Sequence, residues 1–371
     1  MAGKKGGEDM SVRARIAVLP PGTHLLEFRE LTMPPPGPFE VVVEQSAFGV
    51  CHSQLDRIFS PSRTAPMLLG HESIGTVVAV GAEVTYVREG DQVCITWIPR
   101  SPREGRPPSP SRLAFPDGDV AASHNCHTWG THALVDEQYV VRMPEGTDPD
   151  LGSIIGCALM TGAGAVMNSI DLRAGQSVAV WGAGGVGLCA IAGAAILGAG
   201  RVIAVDVSDA KLALAAKFGA TDGVNARETD PVEAIRQLTR HDDGTAGADY
   251  CLDCTGIGNN IPVSLAAVRP GIRGAGVRGG TDVLVGIPRE PFSLDSFDLL
   301  NGEKSLAGSV GGGCDPVRDF ATFVNWTNDG RFDPALLVTD RFGLDQINEA
   351  VDALHHGRVR GRAVVTVRDS A

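Results

Sequence analysis

The sequence predicts an α/β protein of two lobes, one rich in antiparallel strands and one built on a doubly wound parallel sheet. Three observations carry this expectation. The 371 residues exceed what one hydrophobic core usually serves. Short apolar runs punctuated by turn residues fill the first part of the chain, and from Ser177 onward apolar strands alternate with helical stretches, the rhythm of βαβ units.

In the first lobe residues 1 to 10 read as a tail, and Arg15 to Leu19 and Glu40 to Gln45 as strands flanking the turn-rich Met33-Pro34-Pro35-Pro36-Gly37-Pro38. Gly75 to Val80, Gln92 to Trp97 and Tyr139 to Arg142 continue the pattern, with Gly81, Gly90-Asp91 and Pro144-Glu145-Gly146 as punctuation, so an antiparallel, partly closed sheet is expected. Six prolines between Pro99 and Pro116 leave little to bury, and that stretch reads as an irregular, mobile surface loop. In the second lobe strands are expected at Val178 to Trp181 and Arg201 to Asp206, and further apolar segments at Asp249 to Asp253, Ile261 to Val268, Val283 to Gly286 and Lys304 to Ala307. Helices are expected near Val186 to Leu197 and Ala210 to Phe218, and later over Asp315 to Asn328 and Asp345 to His355.

A formal charge of −12 repels phosphate backbones, and no long stripe of Lys and Arg offsets it, which argues against a nucleic-acid partner. The sequence shows no apolar run of the roughly 20 residues a spanning helix needs and no hydrophobic signal stretch at its polar start, so the expectation is a cytoplasmic protein without a membrane partner. Eight cysteines scattered among apolar segments read as reduced thiols, some of them metal ligands, and not as a disulfide framework.

The stretch Ser177-Val-Ala-Val-Trp-Gly182-Ala-Gly184-Gly185-Val186-Gly187 places G-x-G-x-x-G after a strand and at the mouth of a helix, the context a dinucleotide fingerprint requires. Gly182 permits the tight turn, Gly184 lets a pyrophosphate approach backbone N–H groups, and Gly187 lets helix pack on strand. Asp206, 19 residues after Gly187, ends the next strand, where a carboxylate accepts hydrogen bonds from ribose hydroxyls and repels a 2′-phosphate. NAD is therefore expected over NADP. Lys211 reads equally as a ribose contact or a solvated helix residue.

Gly49-Val50-Cys51-His52-Ser53 and Gly70-His71-Glu72 lie 20 residues apart, and Ile155-Gly156-Cys157 follows just before the cofactor segment. Two thiolates and an imidazole suit Zn²⁺ and leave a fourth position open, although each cysteine taken singly reads as a small buried apolar side chain. Together these segments strongly resemble the zinc-binding medium-chain dehydrogenase/reductase family of the alcohol dehydrogenase type, over nearly the whole chain after the tail. The resemblance implies a GroES-like catalytic domain over 11–158 and 311–371 and a Rossmann domain over 159–310. It implies catalytic zinc on Cys51, His71 and Cys157, with Glu72 beside the metal as a transient ligand, and hydride exchange between a small alcohol or carbonyl compound and NAD.

By the same resemblance Ser53 carries the alcohol proton toward the cofactor ribose, Trp97 lines the substrate pocket, and Thr161, Val186, Thr255, Val285 and Gly286 surround the cofactor, with Arg362 on its phosphates. Three positions depart from the family. Gln54 stands where an acid usually orients the zinc-bound histidine, Asp56 where a histidine ends the proton relay, and His52 where a more basic residue grips pyrophosphate. The family's four-cysteine structural zinc lobe is missing, so one zinc per chain is expected. Cys94 with Cys126 has the wrong spacing for a closed site, and Cys251 with Cys254 reads as strand packing. The turn Pro270 to Gly280 is longer than in relatives by roughly eight residues and is expected to be flexible, with Arg273 and Arg278 solvated or reaching an anionic substrate or partner subunit. A homodimer, or a tetramer, is expected. The rival readings are a zinc-containing relative that reduces a polarised C=C or C=N bond, against which the retained Ser53 speaks, and a cofactor-binding protein without turnover.

Overall fold

β-Branched residues and phenylalanine run along Glu40–Val50, an 11-residue strand whose Val41, Val42, Val43 and Phe48 are all buried. It lies inside a seven-stranded sheet ordered Val140–Arg142, Gln92–Thr96, Glu72–Val80, Glu40–Val50, Arg362–Thr366 and Val338–Gly343, with His132–Asp136 also paired to Glu40–Val50. The computed structural model describes residues 12–60, 63–100 and 105–367; the expected tail at 1 to 10 lies outside them. A second sheet of five strands runs Glu27–Thr32, Arg13–Leu19, Met67–Leu68, Val120–Ala122, Arg112–Ala114. The strands expected in this lobe are present with shifted ends, but the sheets are not wholly antiparallel: Val338–Gly343 pairs parallel to Arg362–Thr366, and Met67 pairs parallel to Ala122. The last strand joins the first lobe, with Ala363 opposite Val50 and Thr366 opposite Ala47, so the start of that strand, at Arg362, sits beside Cys51.

The third sheet is wholly parallel, in the order Asp222–Asn225, Arg201–Asp206, Ser177–Trp181, Tyr250–Asp253, Thr281–Leu284, Ser305–Gly308. That is the doubly wound order 3-2-1-4-5-6, with its topological switch point between Ser177–Trp181 and Tyr250–Asp253. The strands are apolar on both faces because helices cover both, as burial of all five residues of Ser177–Trp181 shows.

Between the lobes runs a continuous helical stretch of 20 residues, Pro149–Asn168. Its length and mean hydropathy would suit a membrane span, which the sequence reading did not anticipate, but 83% of its apolar window is buried inside the fold. It begins with Asp148 accepting from the Asp150 and Leu151 amides and with Pro149 in the first turn. Ile155–Leu159 then widens into π-helical winding before α-helix resumes at Met160.

One loop expectation is corrected. Residues 105–116 are tied down: Arg106 donates to both carboxylate oxygens of buried Asp136, at 2.5 and 2.9 Å, and its guanidinium stacks 4.2 Å from the Phe39 ring centroid. Composition carries no sign of an acceptor 30 residues downstream, so the anchor was invisible in the proline pattern. The Pro270 to Gly280 turn closes on itself by an Ile272–Val277 bridge; Arg273 is exposed to solvent there, as expected, and also bonds Asn301 of the helix Ser296–Asn301.

Candidate metal centre and cofactor cleft

Cys51 stands where Glu40–Val50 ends and the helix His52–Ile58 begins, with extended backbone at φ −100° that turns its sulfur off the sheet. His71 and Glu72 follow Gly70, whose φ of +90° suits glycine and whose Cβ, were there one, would lie 2.3 Å from the Thr128 hydroxyl. Cys157 sits in the π-helical turn, a local widening that recurs at functional sites. There Gly156 packs so closely that a Cβ would lie 2.5 Å from the Ile95 carbonyl, and Thr96 Oγ1 donates to the Gly156 carbonyl at 2.8 Å.

These three segments bring one ligand atom each of Cys51, His71, Glu72 and Cys157 within 4.8 Å of one another, all four residues buried. Cys51 Sγ lies 3.7 Å from Cys157 Sγ, and His71 Nε2 lies 3.3 Å from Cys157 Sγ. A tetrahedral zinc ion with Zn–S of about 2.3 Å and Zn–N of about 2.0 Å needs edges of about 3.8 and 3.5 Å. The side chains therefore fit the ion in spacing as well as in donor type. The hydrogen bond with Cys157 holds the Cys51 thiol well below its ordinary pKa, against burial, and the same bond together with burial pushes Cys157 up. Among the described residues no other such group converges: Cys94 Sγ bonds the Gly152 carbonyl, Cys126 Sγ bonds the Thr96 carbonyl, and Cys251 and Cys254 are free thiols raised by burial.

Around this centre Ser53 Oγ donates to Cys51 Sγ at 3.4 Å. Gln54 spans Gly70 and His71, its Oε1 accepting from the Gly70 amide at 3.0 Å and its Nε2 lying 2.8 Å from His71 Nδ1. The edge of Trp97 faces the His71 ring at 6.5 Å between centroids. The indole N–H of Trp97 and the hydroxyl of Thr161 are buried and face the Cys157 thiol, each acting to lower its pKa against the net rise. Asp56 is half-exposed and pairs at 3.4 Å with Arg289, a residue the sequence did not single out.

Arg362 is placed differently from the expectation. Its guanidinium forms an ion pair with Glu72, both side chains almost fully buried, and does not stand free for phosphate. Its stem lies against the start of the glycine-rich helix, where a Cβ on Gly185 would come 2.3 Å from Arg362 Cδ. No local motif could have foreseen a contact between residues 290 positions apart.

At the switch point Gly182 adopts φ +88°, and a Cβ on Gly187 would meet the Gly182 carbonyl at 1.8 Å, so each glycine is demanded by geometry. Gly184 has open space on its Cβ side, as an approach path to backbone N–H groups requires. Val186 turns its carbonyl toward Gly162, whose Cβ would lie 2.1 Å away, which locks this helix against the one carrying Cys157 and Thr161. The Asp206 carboxylate is held by three amides, of Ala183 at 2.8 Å, Val207 at 2.8 Å and Ser208 at 3.1 Å. Thr255 Oγ1 donates to Asp253 at 2.9 Å and accepts from Asn260 at 3.1 Å, and Val285 is buried at the end of its strand. His52 is held below its ordinary pKa first by loss of water and next by Arg289, and Lys211 acts in the same direction, so these cations share one rim with Asp56.

A model of the alcohol dehydrogenase GroES-like domain matches residues 37–145, and one of the zinc-binding dehydrogenase matches residues 185–329. The chain is 30% identical to an S-(hydroxymethyl)glutathione dehydrogenase of Paracoccus denitrificans, over 93% of this chain and 98% of the relative. It is 28% identical to alcohol dehydrogenase-like 7 of Arabidopsis thaliana, over 94% of both. Among solved structures it resembles benzyl alcohol dehydrogenase from Acinetobacter calcoaceticus, with TM-score 0.83 and 28% identity over 96% of this chain and 100% of that one. A zinc-binding alcohol dehydrogenase domain protein from Burkholderia ambifaria gives TM-score 0.85 and 29% identity over 96% and 100%.

Proposed function

The chain belongs to the zinc-binding medium-chain dehydrogenase/reductase family of the alcohol dehydrogenase type, an oxidoreductase acting on CH–OH, and from that premise we propose a zinc alcohol dehydrogenase that uses NAD at a single metal centre per chain. The observation that carries this reading is the convergence of Cys51, His71, Glu72 and Cys157 within 4.8 Å. In the proposal Cys51, His71 and Cys157 would hold the ion, with Glu72, paired to Arg362, as the carboxylate beside it. A bound zinc ion supplies Lewis acidity, and NAD supplies the hydride-accepting carbon.

The protein's own groups do the rest. Ser53 Oγ takes the proton from the substrate oxygen and passes it toward the ribose, and Asp56 with Arg289 marks where that route meets solvent. Trp97 and Thr161 wall the space beside the sulfurs and exclude water. Gly182, Gly184, Gly185, Val186 and Gly187 receive the pyrophosphate, with Thr255 and Val285 toward the nicotinamide and Lys211 and His52 toward ribose and phosphate. Asp206, fixed by three amides, accepts from the adenosine ribose and leaves no room for a 2′-phosphate.

Domain limits of 11–158 with 311–371, and 159–310, follow the sheets and belong to the same proposal. So does a homodimer formed through the open edge at Ser305–Gly308, beside which Phe297 and Leu300 are 73% and 76% exposed. The test is metal analysis with turnover of benzyl alcohol and S-(hydroxymethyl)glutathione, the compounds after which the similar proteins are named. One zinc per chain is expected, with NAD preferred over NADP at least tenfold and the preference lost in Asp206→Ala. Zinc-free protein active on these alcohols, or a preference for NADP, would refute the reading.

A further inference from the structure

Gln54 has one carbonyl oxygen and two neighbours that ask for it. The Gly70 amide is a donor only, and at φ +90° between Thr128 and Trp129 it has no freedom to turn, so the acceptor 3.0 Å away must be Gln54 Oε1. That orientation leaves Gln54 Nε2, also a donor only, 2.8 Å from His71 Nδ1. Nδ1 must then offer its lone pair, and the ring hydrogen falls on Nε2, the nitrogen 3.3 Å from Cys157 Sγ. A ring that binds a metal through Nε2 needs the opposite arrangement, with its hydrogen on Nδ1 and an acceptor facing it.

We infer that Gln54 is a positioning residue that holds His71 in the tautomer facing away from metal binding, so that zinc uptake requires the ring hydrogen to move and the Gln54 carboxamide to give up or share its bond with Gly70. This deepens the proposed zinc reading and rests on it. With Gln54 swung over to serve Nδ1–H, two N–H groups face each other at Gly70; with it unmoved, two face each other at His71. Either way a buried donor loses its partner, and partners at this distance from a metal typically alter its affinity by about 10- to 100-fold. A carboxylate of the same length has no such conflict, since one oxygen accepts from Gly70 and the other from His71 Nδ1–H. The balance is a prototropic shift only: one hydrogen leaves Nε2, one arrives at Nδ1, and no charge or oxidation state changes.

The test compares wild type with Gln54→Glu in the full chain. Zinc affinity by chelator competition is expected to rise tenfold or more in the variant, with slower zinc release to a chromogenic chelator. A second measurement needs no stable variant beyond an assignment control: 15N-histidine spectra of the zinc-free wild type, with His71 identified by its loss in His71→Asn, should place the ring hydrogen on Nε2. Equal zinc affinity in the two proteins, or a hydrogen on Nδ1 in the zinc-free wild type, overturns the inference and leaves the metal site standing. Loss of zinc uptake in Gln54→Glu alone overturns the inference only, and failure of both proteins to take up zinc overturns the inference and the metal reading together.

Discussion

Asp282 offers a quantitative test of the parallel sheet that carries the cofactor cleft. Its side chain is fully buried in the strand Thr281–Leu284, with one oxygen accepting from Ser264 Oγ at 2.6 Å and the Val283 amide also acting on the carboxyl. Burial, only partly offset by Ser264, raises this carboxyl from 3.8 to about 7. The folded form therefore binds a proton that the unfolded chain has released anywhere between those values, and stability falls as pH rises through that window. Three units of displacement at about 1.4 kcal/mol each make the full loss roughly 4 kcal/mol above pH 7, and none of it is felt below about pH 4. Asp282→Asn keeps an acceptor for Ser264 and removes the ionisation. Urea unfolding at pH 5 and pH 8 should show the wild type losing stability relative to Asp282→Asn by about 2 kcal/mol or more between the two conditions. A constant difference would mean that Asp282 does not titrate in that range and that the strand is wetter than its burial implies.

Other consequences are open to measurement. Arg362→Leu strands the buried Glu72 carboxylate and should cost about 3–5 kcal/mol in unfolding free energy, part of which Glu72→Gln in the same chain restores; additive effects would deny the pairing. Arg106→Ala removes the clamp on Asp136 and should cost about 2 kcal/mol while speeding proteolysis within 105–116, and resistance equal to wild type would show that the clamp does not hold that segment. Phe297→Asp with Leu300→Asp should convert dimer to monomer in sedimentation; an unchanged mass would move the interface elsewhere.

Much of the site was legible because its signals are local. G-x-G-x-x-G names the turn, the approach and the helix packing within six residues, and the structure demands glycine at Gly182 and Gly187 for those reasons. Cys51, His71 and Cys157 were marked by the likeness of their three short segments to the family, and Asp206 by its distance from the glycines. What could not be read were contacts that depend on how distant segments pack. Arg362 was expected on phosphate, yet a strand register of Ala363 opposite Val50 carries it onto Glu72. The proline-rich stretch was expected to move freely, yet Arg106 finds Asp136.

By itself, then, the order of residues determined the two lobes and the glycine-rich turn, because periodicity and turn chemistry act over a few residues, while the candidate metal donors came from the resemblance of three separate segments to the family. Only tertiary packing decided which polar groups would share a buried space. Leaving water obliges each buried donor or charge to find a partner there, and which partner lies within reach depends on strand register, the π turn at Cys157 and the fixed amide of Gly70.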